Sequence, residues 1–428
     1  MSLLAEDVFF PLFSNALSKL KVDAVEISDF LMNVYASYWH SFKGRDEEYP
    51  RSFVVADGSY QSTSFQGGAS AICSRAIAIR YEGNVIADFY PEVDVKLGLR
   101  LRKTTHYMKA LELKCLLKAL KDAHDETIAI HDGTIYPTIA VDSFAEPREQ
   151  EVEAILGWLK ALEELYEFAM KRGHILIGLV KDSHVNYLRS RILVNCVESI
   201  DRDLSIEIAR ERSLKNIGRR LRGNLLASEN DVLKEVLRDA ELMTSDEEVF
   251  EVCASGPGFT KPLALAPQPI YLSGEVKAGT PNWWKSRLRR RLEDSNMLGE
   301  VSKILDRIYS MPPIVMFYWK PWHGYGIYRV DVSGWSLDVE WKCGDMEGDV
   351  FMDHLVEKCE RIVSALNGLS PEPFAVKPLS DVDELVRLRR EVYQESYEPL
   401  LVDYLRSKGL RARLTKRGVR EAVFRRRI

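Results

Sequence analysis

Ser52-Phe-Val-Val-Ala-Asp-Gly-Ser59 places a short apolar run directly before an acidic residue, a glycine and a hydroxyl residue. The β-branched run predicts a strand, and Asp57-Gly58 predicts a turn at its carboxyl end. Thr127-Ile-Ala-Ile-His-Asp-Gly-Thr134 repeats the pattern later in the chain. We therefore expect two strands that each end in an aspartate.

The sequence around these two segments predicts an α/β protein with a mixed sheet flanked by helices. Apolar runs at 69–81 and 85–90, joined by turn residues at 82–84, predict two further strands in an antiparallel meander with the first. Helical periodicity covers 101–123 and 150–172, and an apolar run at 174–180 predicts another strand. The order is strand, strand, strand, helix, strand, helix, strand.

The remaining sequence suggests how the chain is divided. Residues 4–43 predict two helices, with the second running to Trp39, and the charged sequence from about 201 to 300 predicts a largely helical insertion. Strands are predicted again at 314–319, 326–332 and 337–341, before a helix at 350–366. The predicted division is an N-terminal helical segment (1–50), a core (51–200 and 305–400), the insertion (201–304) and a basic C-terminal arm (401–428).

Glu112 joins the two aspartates as a candidate functional residue. It lies on the apolar stripe of the helix at 101–123, four residues after Met108 and four before Leu116. A carboxylate on a core-facing stripe is costly unless it is paired or binds a metal. Asp57, Glu112 and Asp132 can converge on Mg²⁺ or Mn²⁺, which prefer oxygen ligands, and such a site suits phosphodiester hydrolysis.

Simpler interpretations exist for each of these residues taken alone. A strand-terminal Asp-Gly is most often only a turn, and Glu112 would be a surface residue if the helical phase were shifted by one position. The histidines form no metal-binding motif, so we expect satisfied or exposed imidazoles: His106, His131, His174, His184 and His323. The combination of three acids raises the case for a metal site.

These motifs resemble the NurA nuclease family of archaea and some thermophilic bacteria. The resemblance rests on the Asp57 and Asp132 segments, the Ala-Leu-Glu112-Leu helix and Ile-Gly-Leu-Val-Lys181-Asp-Ser, over roughly residues 50 to 190. It implies an RNase H-like core and Mn²⁺- or Mg²⁺-dependent DNA hydrolysis. It also implies a ring-like homodimer that works with the hexameric DNA-translocating ATPase HerA in end resection at double-strand breaks.

Carried onto this chain, the resemblance assigns Asp57, Glu112 and Asp132 as catalytic metal ligands. Ser59 and Lys181 match flanking positions. The basic clusters at 210–222 and 285–291 would supply phosphate contacts through Arg219, Arg220, Arg289 and Arg290, although solvated helix faces explain any one of them equally well.

One departure from the family pattern concerns the second metal site. Some members place a further metal-ligating histidine near the C-terminus, but residues 368–379 contain none, and Lys377 stands about where it is expected. Either fewer protein ligands are used, with Asp381 or Asp383 as a substitute, or activity is weakened.

Two other functions fit the same residues. Paired Asp-Gly-Ser/Thr turns also occur in actin-like ATPases and sugar kinases, although the glycine-rich phosphate loops of those proteins are not found after residue 190. A DNA-binding scaffold that has lost catalysis is the non-enzymatic alternative.

Composition sets the broad class. Hydrophobic residues make up 46% and charged residues 29% of the 428 residues, as in globular proteins. The net charge of −5 does not exclude a DNA partner, because residues 406–428 alone hold ten Lys or Arg and one acid. Without an apolar run long enough for a membrane span or a basic signal-peptide start, we expect a cytoplasmic protein. Six scattered cysteines predict free thiols.

Overall fold

The computed structural model describes residues 2–17, 27–42, 49–99, 101, 105–124, 126–137, 149–209, 213–224, 230–242, 244–267, 295–322, 326–371, 376–410 and 412–414. Its strands are β1 Trp39–Ser41, β2 Ser52–Ser64, β3 Ala69–Glu82, β4 Val85–Leu99, β5 Ile128–Asp132, β6 Ile175–Val180, β7 Gly258–Thr260, β8 Leu263–Ala264, β9 Ile314–Lys320, β10 Tyr328–Ser333 and β11 Val350–Phe351.

Its helices are α1 Ser2–Leu17, α2 Asp29–Ala36, α3 Thr105–Lys121, α4 Glu149–Arg172, α5 Tyr187–Glu198, α6 Arg202–Ile208, α7 Leu214–Arg222, α8 Asp231–Glu241, α9 Asp246–Cys253, α10 Ser295–Tyr309, α11 Val356–Gly368, α12 Lys377–Val386, α13 Arg390–Val392 and α14 Glu398–Ser407. A π-helical turn, Tyr393–Tyr397, joins α13 to α14. None of the helices that the structure describes combines the length and apolar character needed to span a bilayer.

The strands form one mixed sheet in the order β1-β7-β9-β10-β6-β5-β2-β3-β4, with β8 pairing with β9 and β11. Strands β2, β5 and β6 are parallel, and β3 is antiparallel to both of its neighbours. The segment β4-β3-β2-β5-β6, crossed by α3 and α4, is RNase H-like. The predicted fold class is therefore confirmed.

Side-chain alternation along the central strands divides the core into two layers. On one face, Val54, Ala56 and Ala129 pack against apolar residues of α3 and α4. On the other face, Val55 and Ile130 pack with apolar residues of α11 and α12. Because the central strands are covered on both sides, they carry near-continuous apolar runs.

Strand β2 does not end where the sequence predicted. It continues through Asp57-Gly58 to Ser64, paired residue by residue with β3 as far as Ser64 opposite Ser70. The parallel partner β5 pairs with β2 only as far as Ala56 opposite His131. The predicted turn at Asp57-Gly58 is therefore wrong: the aspartate marks the end of the β5 pairing rather than the end of β2.

Two further boundaries differ from the sequence prediction. The second N-terminal helix ends at Ala36, because Trp39–Ser41 pairs with Gly258–Thr260 as an edge strand. The strand predicted at 337–341 is wrong, since Gly334–Leu337 forms a 3₁₀ helix that ends at Asp338 with φ of 57°.

The insertion and the N-terminal segment pack onto the core through buried polar contacts. The Tyr35 hydroxyl donates to Asp239 Oδ2 at 2.6 Å, and Arg189 Nε donates to the same oxygen at 2.8 Å. The insertion also contributes β7 and β8 to the sheet. The predicted division into segments stays a prediction, while this contact joins α2, α5 and α8 in one packed body.

The structure also describes the state of the cysteines and the exposure of the apolar side chains on α1. All six cysteines are free thiols, as predicted. On α1, the side chains of Phe10, Leu12 and Phe13 are exposed and do not contribute to the core.

Candidate active site

Asp57 occupies the first position of β2 beyond the β5 pairing. Its side chain is only 8% exposed, and its Oδ1 accepts a hydrogen bond from Gly58 N at 2.7 Å. Burial, the charge of Asp132 and the charge of Glu112 together raise the pKa of Asp57 to about 7. The charges of Asp132 and Glu112 therefore lie close enough to oppose the ionisation of Asp57.

Glu112 approaches from α3 on the other side of the sheet. It is 1% exposed, which confirms that it faces the core. Its carboxylate lies against Gly58, where a Cβ atom would stand 2.5 Å from Glu112 Oε1. Gly58 is required for this close approach rather than for a turn, because any side chain would overlap the carboxylate.

His131 is the buried partner of Glu112. Its Nε2 lies 2.9 Å from Glu112 Oε2, and both side chains are 2% exposed. Burial disfavours the imidazolium, but the hydrogen bond and charge of Glu112 outweigh it and raise the pKa of His131. The prediction of a satisfied imidazole holds for Nε2 but not for Nδ1, which is buried without a hydrogen-bond partner among the described residues. The sequence did not reveal that the partner of Nε2 is Glu112.

Asp132 ends β5, as predicted, and the chain turns at Gly133 with φ of 124°. Its Oδ2 accepts from Lys181 Nζ at 2.8 Å. Since Lys181 follows β6, the cation comes from the neighbouring parallel strand. The structure thus places the predicted residue Lys181 beside the acidic cluster.

The loop after Asp132 is fixed by contacts with β6 and β10. Gly133 N donates to Leu179 O at 2.8 Å, and Thr134 Oγ1 donates to Asp331 Oδ2 at 2.5 Å. A Cβ at Gly178 would lie 2.6 Å from Gly133 O, so a glycine is needed there too. These contacts hold the backbone on the C-terminal side of Asp132 in place.

Asp331 is itself part of a buried ion pair. It accepts from Arg329 Nε at 2.8 Å and from Arg329 Nη2 at 3.0 Å, and both residues are almost completely buried. Sequence reasoning missed this pair. The only signal was an alternating Arg-Val-Asp within an otherwise apolar strand.

Helix α12 crosses the sheet over β2 and carries the two aspartates proposed as substitutes for the missing histidine. Asp383 contributes to the raised pKa of Asp57, whereas Asp381 contributes to that of Tyr81. Asp383 pairs with Arg387, and Asp381 pairs with Lys377. Asp383 is therefore the one on the side of the acidic cluster.

The other predicted DNA-binding residues differ in their surroundings. Ser59 Oγ accepts from Leu388 N at 2.7 Å and so ties the segment after α12 to β2. On α7, Arg219 is exposed, and Arg220 pairs with Glu207 at 2.8 Å. Arg289 and Arg290 lie outside the described residues, as does most of the basic C-terminal arm.

The acidic cluster fits a divalent cation in its chemistry. Its donors are carboxylate oxygens, which hard cations prefer, and the raised pKa of Asp57 reports negative charge that a cation would relieve. Within the described part of the chain, no three His, Cys, Asp or Glu side chains stand close enough to form a completed ligand set.

Comparison with known proteins identifies the family. The chain matches the model of the NurA domain over residues 51–341, and among curated proteins none matches. Solved structures also match, two of them at 12–13% sequence identity. One, described as the crystal structure of NurA, is 13% identical over 93% of this chain and 96% of its own, with a TM-score of 0.41. The other, NurA bound to dAMP and manganese, is 12% identical over 94% and 96%, with a TM-score of 0.39. Because the domain model covers well over half of the sequence, this chain belongs to the NurA family.

Proposed function

We propose that this protein is a divalent-metal-dependent deoxyribonuclease with exonuclease and single-strand endonuclease activity. The observation that carries the proposal is the proximity of Asp57, Glu112 and Asp132: burial, followed by the charges of Asp132 and Glu112, raises the pKa of Asp57 to about 7. Clustered carboxylates with perturbed pKa values are typical of catalytic sites. Membership in the NurA family favours a nuclease over an ATPase or kinase.

In this proposal Asp57, Glu112 and Asp132 would hold Mn²⁺ or Mg²⁺. A bound cation supplies an activated water for attack on phosphorus and neutralises charge on the leaving oxygen. Gly58 and the fixed loop after Asp132 keep the three carboxylates in place before substrate arrives. The backbone segments that carry these donors are therefore held in place by the fold.

The chain also offers groups for the DNA backbone. Lys181 Nζ pairs with Asp132, but its side chain is 40% exposed, so it can exchange the carboxylate for a phosphate oxygen. Ser59 already accepts from Leu388, which leaves its hydroxyl hydrogen as the group to donate. Arg219, Arg220, Arg289 and Arg290 would contact phosphates further from the acids.

The decisive experiment measures cleavage of end-labelled single-stranded DNA with Mn²⁺. Asp57→Asn and Asp132→Asn should abolish cleavage, because each loses a ligand charge while keeping its size. Asp338→Asn is the matched control: Asp338 is exposed, pairs with Lys358 and has φ of 57°, which asparagine tolerates. Cleavage that survives in either site variant contradicts the assignment.

The same preparation separates the alternatives. An ATPase or kinase would be stabilised against thermal unfolding by ATP alone, whereas the nuclease should respond to Mn²⁺ with DNA. A scaffold would bind DNA without cleaving it, with or without a translocase.

We also propose a homodimer, as the family resemblance implies, and β4 supports it. This edge strand exposes Val93, Val95 and Leu97 on one face, and a bare apolar edge is normally covered. Antiparallel pairing with a second copy centred on Val95 would set Asp94 beside the second copy's Lys96. Val95→Lys should convert the dimer to a monomer, as measured by light scattering. If the mass of the variant equals that of the wild-type dimer, β4 is not part of the interface.

The proposed cellular role is end resection at double-strand breaks with a HerA-type hexameric translocase in the cytoplasm. Its support is the NurA domain. Co-purification with the translocase, and faster digestion of duplex ends in its presence, are the expected results. Digestion of duplex ends at the same rate with and without the translocase contradicts this role.

A further inference from the structure

Glu112 has two oxygens with different neighbours. Oε2 lies 2.9 Å from His131 Nε2. Oε1 is the oxygen that a Cβ on Gly58 would meet at 2.5 Å, so it lies over the β2 backbone next to Asp57. Since a carboxylate cannot donate, the imidazole donates through Nε2 to Oε2.

The sheet provides a space for the His131 ring. In the register of the parallel strands, His131 stands between Ala56 on β2 and Gly178 on β6. Both neighbours are small, so the ring fits between the sheet and α3, where a Cβ on Gly133 would lie 3.4 Å from its Cε1. The imidazole is 2% exposed and therefore has little room to reorient.

Adjacent residues of β5 serve opposite faces of the sheet. Successive side chains of a strand alternate, so His131 faces α3 while Asp132 faces the other side. Of these two adjacent residues, Asp132 belongs to the acidic cluster, and His131 binds Glu112 on the opposite face of the sheet. A shift of β5 by one residue would disrupt both.

We propose that His131 is a positioning residue, which fixes Oε2 of Glu112 so that Oε1 stays directed toward Asp57 as a cation ligand. The inference rests on the proposed metal-dependent nuclease. Without the imidazole, the Glu112 carboxylate would keep its burial but lose the bond that sets its orientation, and outer-shell partners of this kind tune metal affinity.

The test uses the full chain and titrates Mn²⁺ by calorimetry. His131→Ala should weaken Mn²⁺ binding by about tenfold or more, the range seen on removal of outer-shell partners. His131→Gln should recover most of the affinity, because its amide Nε2 can donate to the same oxygen. His124→Gln is the control, since His124 has 80% of its side chain exposed. Equal Mn²⁺ affinity for wild type and His131→Ala, or no recovery in His131→Gln, overturns the proposal.

A double-mutant comparison covers the case in which His131→Ala folds poorly. His131→Leu, which keeps much of the ring's volume but cannot donate, should weaken Mn²⁺ binding in the wild-type background and change it no further in a Glu112→Ala background, where no carboxylate remains to be positioned. A second loss of similar size in the Glu112→Ala background overturns the proposal. Thermal unfolding without metal confirms that each variant compared is folded. If the wild type neither binds Mn²⁺ nor cleaves DNA, the nuclease proposal fails; if it does both and His131→Ala is unaffected, only the positioning role fails.

Discussion

Asp57 stands beside Asp132 at the place where β5 ends and β2 continues. After burial, the charge of Asp132 is the largest cause of the raised pKa of Asp57. The two aspartates therefore form an electrostatically unfavourable pair that the fold brings together from neighbouring strands. Such pairs reduce stability and are retained where they serve a function.

Asp57→Asn should stabilise the metal-free protein at pH 8. The pKa of Asp57 rises from 3.8 to about 7 on folding, so its contribution to stability is fully present below about pH 4 and is lost as the pH rises through 7. Asparagine does not ionise, so the variant does not lose this free energy of unfolding, which is on the order of 2–4 kcal/mol. Thermal unfolding in chelator at pH 5 and pH 8 measures it.

The increase in stability caused by Asp57→Asn should be smaller at pH 5 than at pH 8. Asp338→Asn, at an exposed aspartate, should show no comparable difference between the two pH values. A variant no more stable at pH 8 than the wild type would show that Asp57 is not strained by its neighbours.

Gly58→Ala should displace Glu112. The new methyl group would stand 2.5 Å from Oε1 and 2.8 Å from the side-chain Cγ, an overlap that costs about 1–3 kcal/mol. We expect a lower unfolding temperature together with weaker Mn²⁺ binding. Gly256→Ala is the control, because nothing lies within 4 Å of its Cβ position. Equal behaviour of the two variants would contradict the close packing of α3 on β2.

Lys181→Met should tighten Mn²⁺ binding when DNA is absent. The ammonium pairs with Asp132 at 2.8 Å and competes with a cation for that carboxylate. An exposed pair of this kind is worth up to about 1 kcal/mol, which corresponds to a roughly two- to fivefold change in affinity. Calorimetric titration measures it, and weaker binding by the variant would contradict competition. With DNA present, a higher KM is expected because a phosphate contact is lost.

Asp383→Asn and Asp381→Asn should differ although both remove one charge from α12. Asp383 affects Asp57, whereas Asp381 affects Tyr81. We expect only Asp383→Asn to weaken Mn²⁺ binding, by roughly threefold or more, as a nearby negative charge is lost. Both residues have a basic partner four positions away, which makes them a matched pair. Equal effects would exclude Asp383 as the substitute for the missing histidine.

The acidic cluster was predictable because its signals are local. Asp132 follows an apolar run and precedes a glycine, and Glu112 lies on an apolar helical stripe. The β2-β3-β4 meander could likewise be anticipated, since the turn residues between β3 and β4 lie in one short segment.

What could not be predicted depends on contacts between distant segments. The pairing of β2 with β3 overrides the turn propensity of Asp57-Gly58. Gly58 makes room for the side chain of Glu112, which lies 54 residues later in the chain on α3. The His131–Glu112 bond and the assignment of Asp383 rather than Asp381 require the helices to be placed on the sheet. No local pattern reports that placement.

The continuation of β2 past Asp57 makes the surroundings of the candidate active site asymmetric. From Asp57 to Ser64 the strand extends seven residues further, about 23 Å at 3.3 Å per residue, and β3 and β4 extend with it. On one side, the acidic cluster is therefore flanked by the extended parts of β2, β3 and β4. For the proposed nuclease we therefore expect a nucleic acid chain to approach from the side of β5 and β6, where Lys181 lies with 40% of its side chain exposed.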